Sequence, residues 1–258
     1  MENNKPRLTI GLLLISTGAY DQFLQPLIES VDTHFFPDHE IIIYLFGDKE
    51  YYKLKLPNRI SLIVTHIKHE PWPASTIFRY RHFVSAWNKI KMCDYVFYSD
   101  VDMMITGDVS DDVLLENGEA VDLIFTRHPG FWNNKEWGSQ GVSERSKAYL
   151  REDERHRYVC GGFNGGKTHR FMEMSRVLAD NIDADESIGY RCPHNDETHT
   201  NAFANRIVYK DYPTWKVKDL SPAFCMLPGQ EARIQFGLTD LYPIIIALDK
   251  NHEELRKH

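Results

Sequence analysis

The chain has 258 residues, of which 42% are hydrophobic and 26% are charged, a composition typical of a soluble globular protein rather than a disordered, fibrous or membrane protein. Thirty Lys and Arg against 37 Asp and Glu give a net charge of −7, which argues against a partner bound through its nucleic-acid backbone. The 4 cysteines form no C-x-x-C pair, which argues against a disulfide framework or a thiolate zinc site and favours a reducing compartment. The apolar run at residues 8–15 is far shorter than the roughly 20 residues of a membrane helix. We therefore expect a cytoplasmic protein without a membrane anchor.

The first hundred residues alternate between dense apolar runs and helical patterns. Residues 8–16 and 40–46 predict two strands, with a helix at 21–36 between them, and the second strand is apolar enough to be buried on both faces. Further elements are predicted in the same order, namely a strand at 60–67, a helix at 79–92 and a strand at 95–98. The fold class is therefore α/β with a mostly parallel sheet. Because ligands bind beyond the carboxyl ends of such strands, residues 16–20, 46–48 and 99–102 should surround one crevice.

The second half of the sequence is less regular. A strand is predicted at 122–126, a helix at 168–182 and another helix at 198–207, while 131–157 is polar and aromatic with many turn residues. Without a repeat or a low-complexity linker, the whole chain (1–258) is interpreted as one domain in two lobes. In isolation, the basic ending at 256–258 is typical of a solvated tail.

The most distinctive motif is Asp100-Val101-Asp102, at the end of the strand predicted for 95–98. In an extended segment, residues i and i+2 project to the same side, so both carboxylates could face one cation. Hard ions such as Mg²⁺ and Mn²⁺ bind through one or two carboxylates together with substrate phosphates. A solvated turn is the alternative for the bare motif.

A second group of chemically capable side chains precedes the helix predicted for 198–207, and includes His194, Asn195, Asp196, Glu197 and His199. The spacing is not H-E-x-x-H, so it does not support a helical zinc site. Two interpretations stay open. The acids could complement the dipole of a helix N-terminus, or one carboxylate could face the positive charge that develops on a reacting sugar carbon.

Two turn-like segments complete the set. The glycine run 161–166 matches neither a dinucleotide fingerprint nor a P-loop, and is interpreted as either a substrate loop or a tight turn. The segment from His128 to Trp132 predicts a rigid turn whose aromatic side chains either pack in the core or stack on a sugar, with packing favoured.

Taken in order, these segments resemble glycosyltransferase family 6, which includes the histo-blood group A and B transferases and the α-1,3-galactosyltransferases. The similarity runs from about residue 8 to residue 256. It rests on an ordered set of motifs: Asp100-Val101-Asp102, His128-Pro129-Gly130-Phe131, Gly161-Gly162 with Gly165-Gly166, Asp196-Glu197-Thr198-His199 with Asn201, Leu220-Ser221-Pro222, and Lys250-Asn251-His252 with Arg256. The resemblance implies a GT-A fold, with a Rossmann-like UDP-binding lobe at about 1–105 and a donor-sugar and acceptor lobe at about 106–258 that ends in a basic tail.

The resemblance also implies an activity: retaining, metal-dependent transfer of N-acetylgalactosamine or galactose from the UDP sugar to the 3-hydroxyl of a galactoside acceptor, in α linkage. It implies Mn²⁺ (or Mg²⁺) on Asp100 and Asp102 as a Lewis acid for the leaving group, and Glu197 as the catalytic carboxylate. Ten further positions match the family's donor site, and three are assigned to the acceptor. The donor positions are Ile15, Thr17, Tyr20 (uracil), Arg79 (diphosphate), Cys160, Gly161, Gly162, Asp196 (sugar hydroxyls), and Lys250 and Arg256 as a closing lid; the acceptor positions are His128, His194 and Asn195.

Several departures qualify the resemblance. Many relatives carry Trp-His before the Asp-Glu pair, whereas this chain has His194-Asn195, so the acceptor's identity does not carry over. The chain keeps both acids of the D-x-D motif, which favours metal dependence. Small residues at 160–162 leave room for an N-acetyl group and favour UDP-N-acetylgalactosamine as the donor. The lack of an N-terminal anchor resembles the short bacterial or phage members.

Two other functions use the same residues. A metal-dependent UDP-sugar hydrolase would direct Asp100, Asp102 and Glu197 to water as the acceptor. A sugar-nucleotide-binding protein would hold the ligand without turnover, although binding alone gives no reason for a carboxylate at the anomeric carbon. The physiological acceptor, the oligomeric state, and the choice between a covalent intermediate on Glu197 and front-side attack are left open.

Overall fold

A seven-stranded sheet runs through the centre of the protein, in a computed structural model that describes residues 6–133, 136–251 and 255. Its strands in spatial order are β10 (Val217–Leu220), β8 (Leu123–Arg127), β9 (Val159–Lys167), β4 (Tyr95–Ser99), β1 (Thr9–Ser16), β2 (Glu40–Gly47) and β3 (Ile60–His66). β1 is parallel to both β2 and β4, β2 to β3, and β8 to β10, whereas β9 is antiparallel to both of its neighbours. The α/β class and its mostly parallel sheet are confirmed.

Helices and two small two-stranded sheets surround this sheet. The helices are α1 (Leu24–His34), α2 (Ala74–Ile77), α3 (Arg79–Ser85), α4 (Trp87–Ile90), α5 (Thr168–Ser187), α6 (Asn195–Ala202), α7 (Val208–Asp211) and α8 (Gln230–Gln235). The small strands are β5 (Met103–Ile105), which pairs with β11 (Ile245–Ala247), and β6 (Leu115–Glu116), which pairs with β7 (Glu119–Ala120). None of the helices in the described segments combines the length and the apolar character that crossing a membrane requires.

The alternation of side chains along β1 explains why helices cover both faces of the sheet. Ile10, Leu12 and Leu14 pack on one face, against residues such as Leu27 of α1. Leu13, which points the opposite way, packs with Phe83 of α3 and others on the second face. A strand whose two faces are both buried shows a continuous apolar run, which is the pattern that its sequence displays.

The helix predicted for 79–92 is interrupted. α3 ends at Ser85 and α4 begins at Trp87, because Ala86 between them has a φ of −93° and a ψ of 7°, outside the α-helical range. The helix predicted for 198–207 instead begins at Asn195, after a residue with non-helical backbone, and continues as a π turn at Phe203–Ile207. The early start places Asp196 and Glu197 in the first helical turn, where the helix dipole favours acidic side chains.

The glycine run 161–166 is neither a loop nor a turn, contrary to both interpretations. It forms the middle of β9, between β4 and β8. A Cβ on Gly165 would lie 2.2 Å from the Phe97 ring, so the strand can pack against that buried ring only without a side chain there. Gly166 has a φ of 155°, and a Cβ there would lie 2.3 Å from the Asp122 carbonyl oxygen. The glycines thus serve close packing at the centre of the sheet.

Candidate active site

The carboxyl ends of β1 and β4 open into a cavity of about 230 Å³, called the DxD cavity below. It is lined by residues after β1 and β4, by the segment before α2 and by the C-terminal segment, including Ile15, Thr17, Tyr20, His69, Trp72, Tyr98, Asp100, Asp102, Lys250 and Leu255. Residues from 16–20 and from 99–102 line this one cavity, as the sequence predicts. Residues 46–48 do not line it; the Asp48 carboxylate instead accepts a hydrogen bond of 2.9 Å from the Gly18 amide and supports the loop after β1.

Asp100 directly follows β4, and Val101 and Asp102 form a turn rather than the extended segment predicted. The Asp100 amide donates to the Gly162 carbonyl at 2.9 Å, and the Tyr98 hydroxyl donates to its carboxylate at 2.5 Å. The carboxylate of Asp102 forms an ion pair with the Lys250 ammonium, which also lies 5.7 Å from the centre of the Tyr20 ring. The carboxylates of Asp100 and Asp102, whose oxygen atoms suit hard cations, thus face one cavity. The Asp102 carboxylate is already paired with the ammonium group of Lys250.

Arg79 joins this cavity to the next group of acids. Its side chain is buried, with Nε 2.9 Å from Asp196 Oδ2 and Nη1 3.6 Å from Asp100 Oδ1. Nη1 also donates to the Gly161 carbonyl at 3.0 Å, and the guanidinium lies 4.4 Å from the centre of the Tyr98 ring. A buried guanidinium between two acids fixes the positions of both.

Asp196 is buried, and its pKa is strongly raised. Burial raises its pKa to about 7; the Arg79 guanidinium opposes that rise, and the nearby charges of Glu197 and Asp100 add to it. A buried carboxyl group whose pKa is raised to near neutrality beside other charged groups is common in functional sites.

Glu197 is held at both oxygens. Oε2 accepts from the Gly161 amide at 2.9 Å, and Oε1 accepts from the Tyr158 hydroxyl at 3.0 Å. The Tyr158 hydroxyl is also 2.8 Å from the Ser139 hydroxyl, and burial followed by the charge of Glu197 raises the pKa of Tyr158, so it stays a neutral donor. Asn201 fastens the same helix to β9 through hydrogen bonds of 2.8 Å to both the amide and the carbonyl of Val159. The carboxylate is therefore preorganised.

The backbone between the two pairs of acids leaves no space for a side chain at Gly162, whereas a Cβ at Gly161 would make ordinary contacts. A Cβ on Gly162 would lie 2.9 Å from Cys225 Sγ and 3.3 Å from Asp100 Oδ2. A Cβ on Gly161 would lie 3.7 Å from Glu197 Oε2. Cys160 is buried, with its thiol in contact with that of Cys225. Positions 160–162 thus connect Asp100 with Glu197.

Of the three positions assigned to the acceptor, His128 and His194 lie near each other, whereas Asn195 lines a different cavity. The ring centre of His128 is 5.6 Å from that of Tyr158, its Nδ1 accepts from the Gly130 amide at 3.0 Å, and burial lowers its pKa. His194 Nε2 lies 3.0 Å from the Gly138 carbonyl oxygen. Asn195 lines a separate small cavity with Cys192. The turn at Pro129–Phe131 packs on Tyr158, as favoured. The acceptor roles stay predictions.

Arg256 and His252 lie outside the described residues. Within those residues, the sequence missed Tyr98 and Tyr158, whose hydroxyl groups bind Asp100 and Glu197. Tyr98 could have been found from its position 2 residues before Asp100, on the strand that presents it. Tyr158 offered no such signal, since it contacts Glu197 only through the fold.

Comparison with known proteins identifies the family to which the chain belongs. Residues 2–256 match the model of glycosyltransferase family 6. Histo-blood group ABO system transferase 1 of Rattus norvegicus is 24% identical over 260 residues, which covers 96% of this chain and 68% of that protein. The O-antigen biosynthesis glycosyltransferase WbnI of Escherichia coli is 24% identical over 200 residues, covering 76% and 82% respectively. Globoside alpha-1,3-N-acetylgalactosaminyltransferase 1 of Gallus gallus is 27% identical over 202 residues, covering 75% and 57%. The chain belongs to glycosyltransferase family 6 and is a retaining α-glycosyltransferase that takes a nucleotide-sugar donor and a glycan acceptor.

Proposed function

We propose that the chain transfers N-acetylgalactosamine, or alternatively galactose, from its UDP sugar to the 3-hydroxyl of a galactoside in α linkage, with the help of a divalent cation. The observation that carries this proposal is the continuous contact from Asp100 through Arg79 to Asp196, with Glu197 fixed beside it on the Gly161 amide. In this arrangement, a diphosphate bound near Asp100 would lie next to a sugar bound near Asp196 and Glu197.

The donor nucleotide lies in the DxD cavity in this proposal. Tyr20 and the backbone of Ile15 and Thr17 hold the uracil end, and Lys250 approaches the diphosphate from the C-terminal segment. Asp100 and Asp102 would hold Mn²⁺ or Mg²⁺, and the ion, when bound, would stabilise the charge of the departing diphosphate. The donor set fits this role, because both acids supply hard oxygen atoms to one cavity and an ammonium group already pairs with Asp102.

The sugar end of the site depends on the second pair of acids. Asp196, oriented by Arg79, accepts hydrogen bonds from the sugar hydroxyls. Glu197 faces the anomeric carbon and stabilises the positive charge that develops there as the bond to the diphosphate breaks. Because Tyr158 and Gly161 already hold its two oxygens, this carboxylate needs little reorganisation during the reaction.

The preference for N-acetylgalactosamine rests on the backbone at 161–162. Glycine at both positions leaves the surface between Asp100 and Glu197 free of side chains, and a Cβ at Gly162 would meet Cys225 Sγ at 2.9 Å. A larger residue there would have to turn toward the sugar or displace Cys225. The bare backbone is compatible with the added bulk of an N-acetyl group.

Product analysis tests the proposal. The purified protein is incubated with UDP-N-acetylgalactosamine or UDP-galactose, with lactose or a fucosylated galactoside, and with Mn²⁺ or EDTA. Mass spectrometry and NMR should reveal a new α-(1→3)-linked sugar with Mn²⁺ and none with EDTA. Free sugar released equally with and without acceptor would overturn transfer in favour of hydrolysis, and donor binding without any turnover would favour a binding protein.

A further inference from the structure

A second cluster of potential metal ligands lies behind the helix that carries Glu197. It consists of Asp185 in the last turn of α5, Cys192 in the following loop and His199 in α6, which are 2%, 5% and 4% exposed. One ligand atom from each of these residues lies within 4.8 Å of the others. We propose that these three side chains form a zinc site, distinct from the DxD cavity, which fastens α6 to the end of α5.

The spacing of the three ligand atoms carries this proposal. Cys192 Sγ is 3.5 Å from His199 Nε2 and 3.8 Å from Asp185 Oδ2, and His199 Nε2 is 3.5 Å from Asp185 Oδ2. Tetrahedral zinc, with bonds of about 2.0–2.3 Å, places its ligand atoms roughly 3.3–3.6 Å from one another. The separation of His199 from Asp185 is longer than the ordinary N–H···O hydrogen bond. The triangle therefore has the size expected for three ligands around one ion, and the Cys192 thiol hydrogen-bonds with Asp185 and His199 when no ion is bound.

The surroundings supply the rest of such a site. The backbone amide of Lys147 donates to Asp185 Oδ1 at 2.8 Å, and the Ser146 hydroxyl donates to Oδ2, so the carboxylate is already oriented. A cavity of about 10 Å³ adjoins the three side chains and Asn195. That volume is about the space of one water molecule, which is the usual fourth ligand where three protein ligands hold zinc.

The chemistry of the donor atoms separates this cluster from the DxD cavity. Imidazole and thiolate sulfur select zinc, whereas carboxylates alone suit Mg²⁺ or Mn²⁺. On binding, the Cys192 thiol loses its proton to solvent and becomes the thiolate ligand. The bound ion would link α5, the loop at 190–194 and α6, and so restrain the helix that positions Asp196 and Glu197. The intervals of seven residues between the ligands match no standard zinc motif.

Cobalt(II) is the probe that distinguishes the two sites. The unmodified protein is stripped with a chelator, given excess Mg²⁺ to occupy all-oxygen sites, and titrated with cobalt. A thiolate-to-cobalt charge-transfer band and strong visible bands of tetrahedral cobalt should appear at one equivalent, and zinc should bleach them. An all-oxygen site cannot produce the thiolate band, so its absence in the unmodified protein would overturn the proposal.

Two variants assign the band. Cys192→Ala should abolish it, whereas Cys93→Ala, which removes another buried thiol, should retain it. Zinc should raise the thermal unfolding midpoint of the unmodified protein and of Cys93→Ala by on the order of 5–10 °C, and leave Cys192→Ala unchanged. A thiolate band that survives Cys192→Ala would place the ion on a different cysteine and contradict the assignment.

Discussion

The two pairs of acids in the active site have similar chemistry but different surroundings. Asp100 and Asp102 face a cavity of about 230 Å³, where Lys250 is the cation paired with Asp102. Asp196 and Glu197 do not line that cavity; the first pairs with the buried Arg79, and the second accepts hydrogen bonds from an amide and a hydroxyl group. The first pair is arranged to receive something from outside, whereas the second is already in place for chemistry.

This comparison predicts a division of labour. Substitutions in the first pair should weaken binding of the metal and the donor, and substitutions in the second pair should reduce turnover or stability. Loss of a carboxylate should therefore reduce binding in the first pair and turnover or stability in the second, and measurements of binding, kinetics and unfolding can separate these effects.

The largest effect is expected for Glu197→Gln. Glutamine has the same shape but lacks the negative charge that stabilises the reacting sugar carbon, so kcat should fall about 10³-fold. Steady-state kinetics of transfer would measure this loss. The Asp180→Asn variant, which removes an exposed carboxylate from the middle of α5, serves as a control and should keep its kcat. A Glu197→Gln enzyme with kcat within a few-fold of the unmodified value would show that the carboxylate is not catalytic.

Arg79→Met should have the largest effect on stability. It leaves Asp196 buried beside Glu197 without its cation, and loss of one partner of a buried ion pair typically costs about 3–5 kcal/mol. Urea denaturation would measure the free energy of unfolding. Arg81→Met is the matched control, because Arg81 pairs with Asp183 at the exposed surface and its loss should cost less than about 1 kcal/mol. Equal losses in the two variants would contradict the account of Arg79.

How far the sequence determined these results varies along the chain. β1 and β2 were predictable, because their apolar runs leave few alternatives to strands buried on both faces. β3 was predicted from a shorter apolar run, although it lies at the edge of the sheet and is mostly exposed or half-buried. β9 was not predictable, since a run of glycines shows no alternation of apolar and polar side chains. The glycine at position 165 is required by the Phe97 ring that packs against it, and this contact is visible only in the fold. In the site, the D-x-D acids and Glu197 were identified from motif order, whereas Tyr158 depended on a contact between residues 39 positions apart. The two lobes proposed from the sequence stay a prediction.

A smaller effect is expected in the pH dependence of stability. Asp196 has a pKa of about 7 in the folded protein, against about 3.9 for an unfolded chain, so the folded state binds an extra proton between these values. Its contribution is fully present below about pH 4 and is lost as the pH rises through 7. The free energy of unfolding of the unmodified protein, relative to that of Asp196→Asn, should therefore fall from pH 5 to pH 7 by up to about 1.4 kcal/mol per unit. Parallel curves from urea denaturation of the two proteins would refute the raised pKa.

The smallest effect is expected for Lys250→Ala. Removal of the ammonium group frees the Asp102 carboxylate, so the protein without nucleotide should bind Mn²⁺ a few-fold more tightly. The same change should raise KM for the UDP sugar about tenfold, because the diphosphate loses a cation. Calorimetry with Mn²⁺ alone and kinetics with the donor would separate the two results. Weaker Mn²⁺ binding in this variant would mean that Lys250 does not compete for Asp102.

Calorimetric titration of UDP in the presence of Mn²⁺, with the unmodified protein, Asp102→Asn and Glu197→Gln measured side by side, tests the division between the two pairs most directly. We predict that Glu197→Gln binds UDP as tightly as the unmodified protein, whereas Asp102→Asn binds about 100-fold more weakly because the metal is held by one carboxylate fewer. An equal loss of UDP binding in both variants would contradict the account, since it would show that the two pairs of acids form a single donor site.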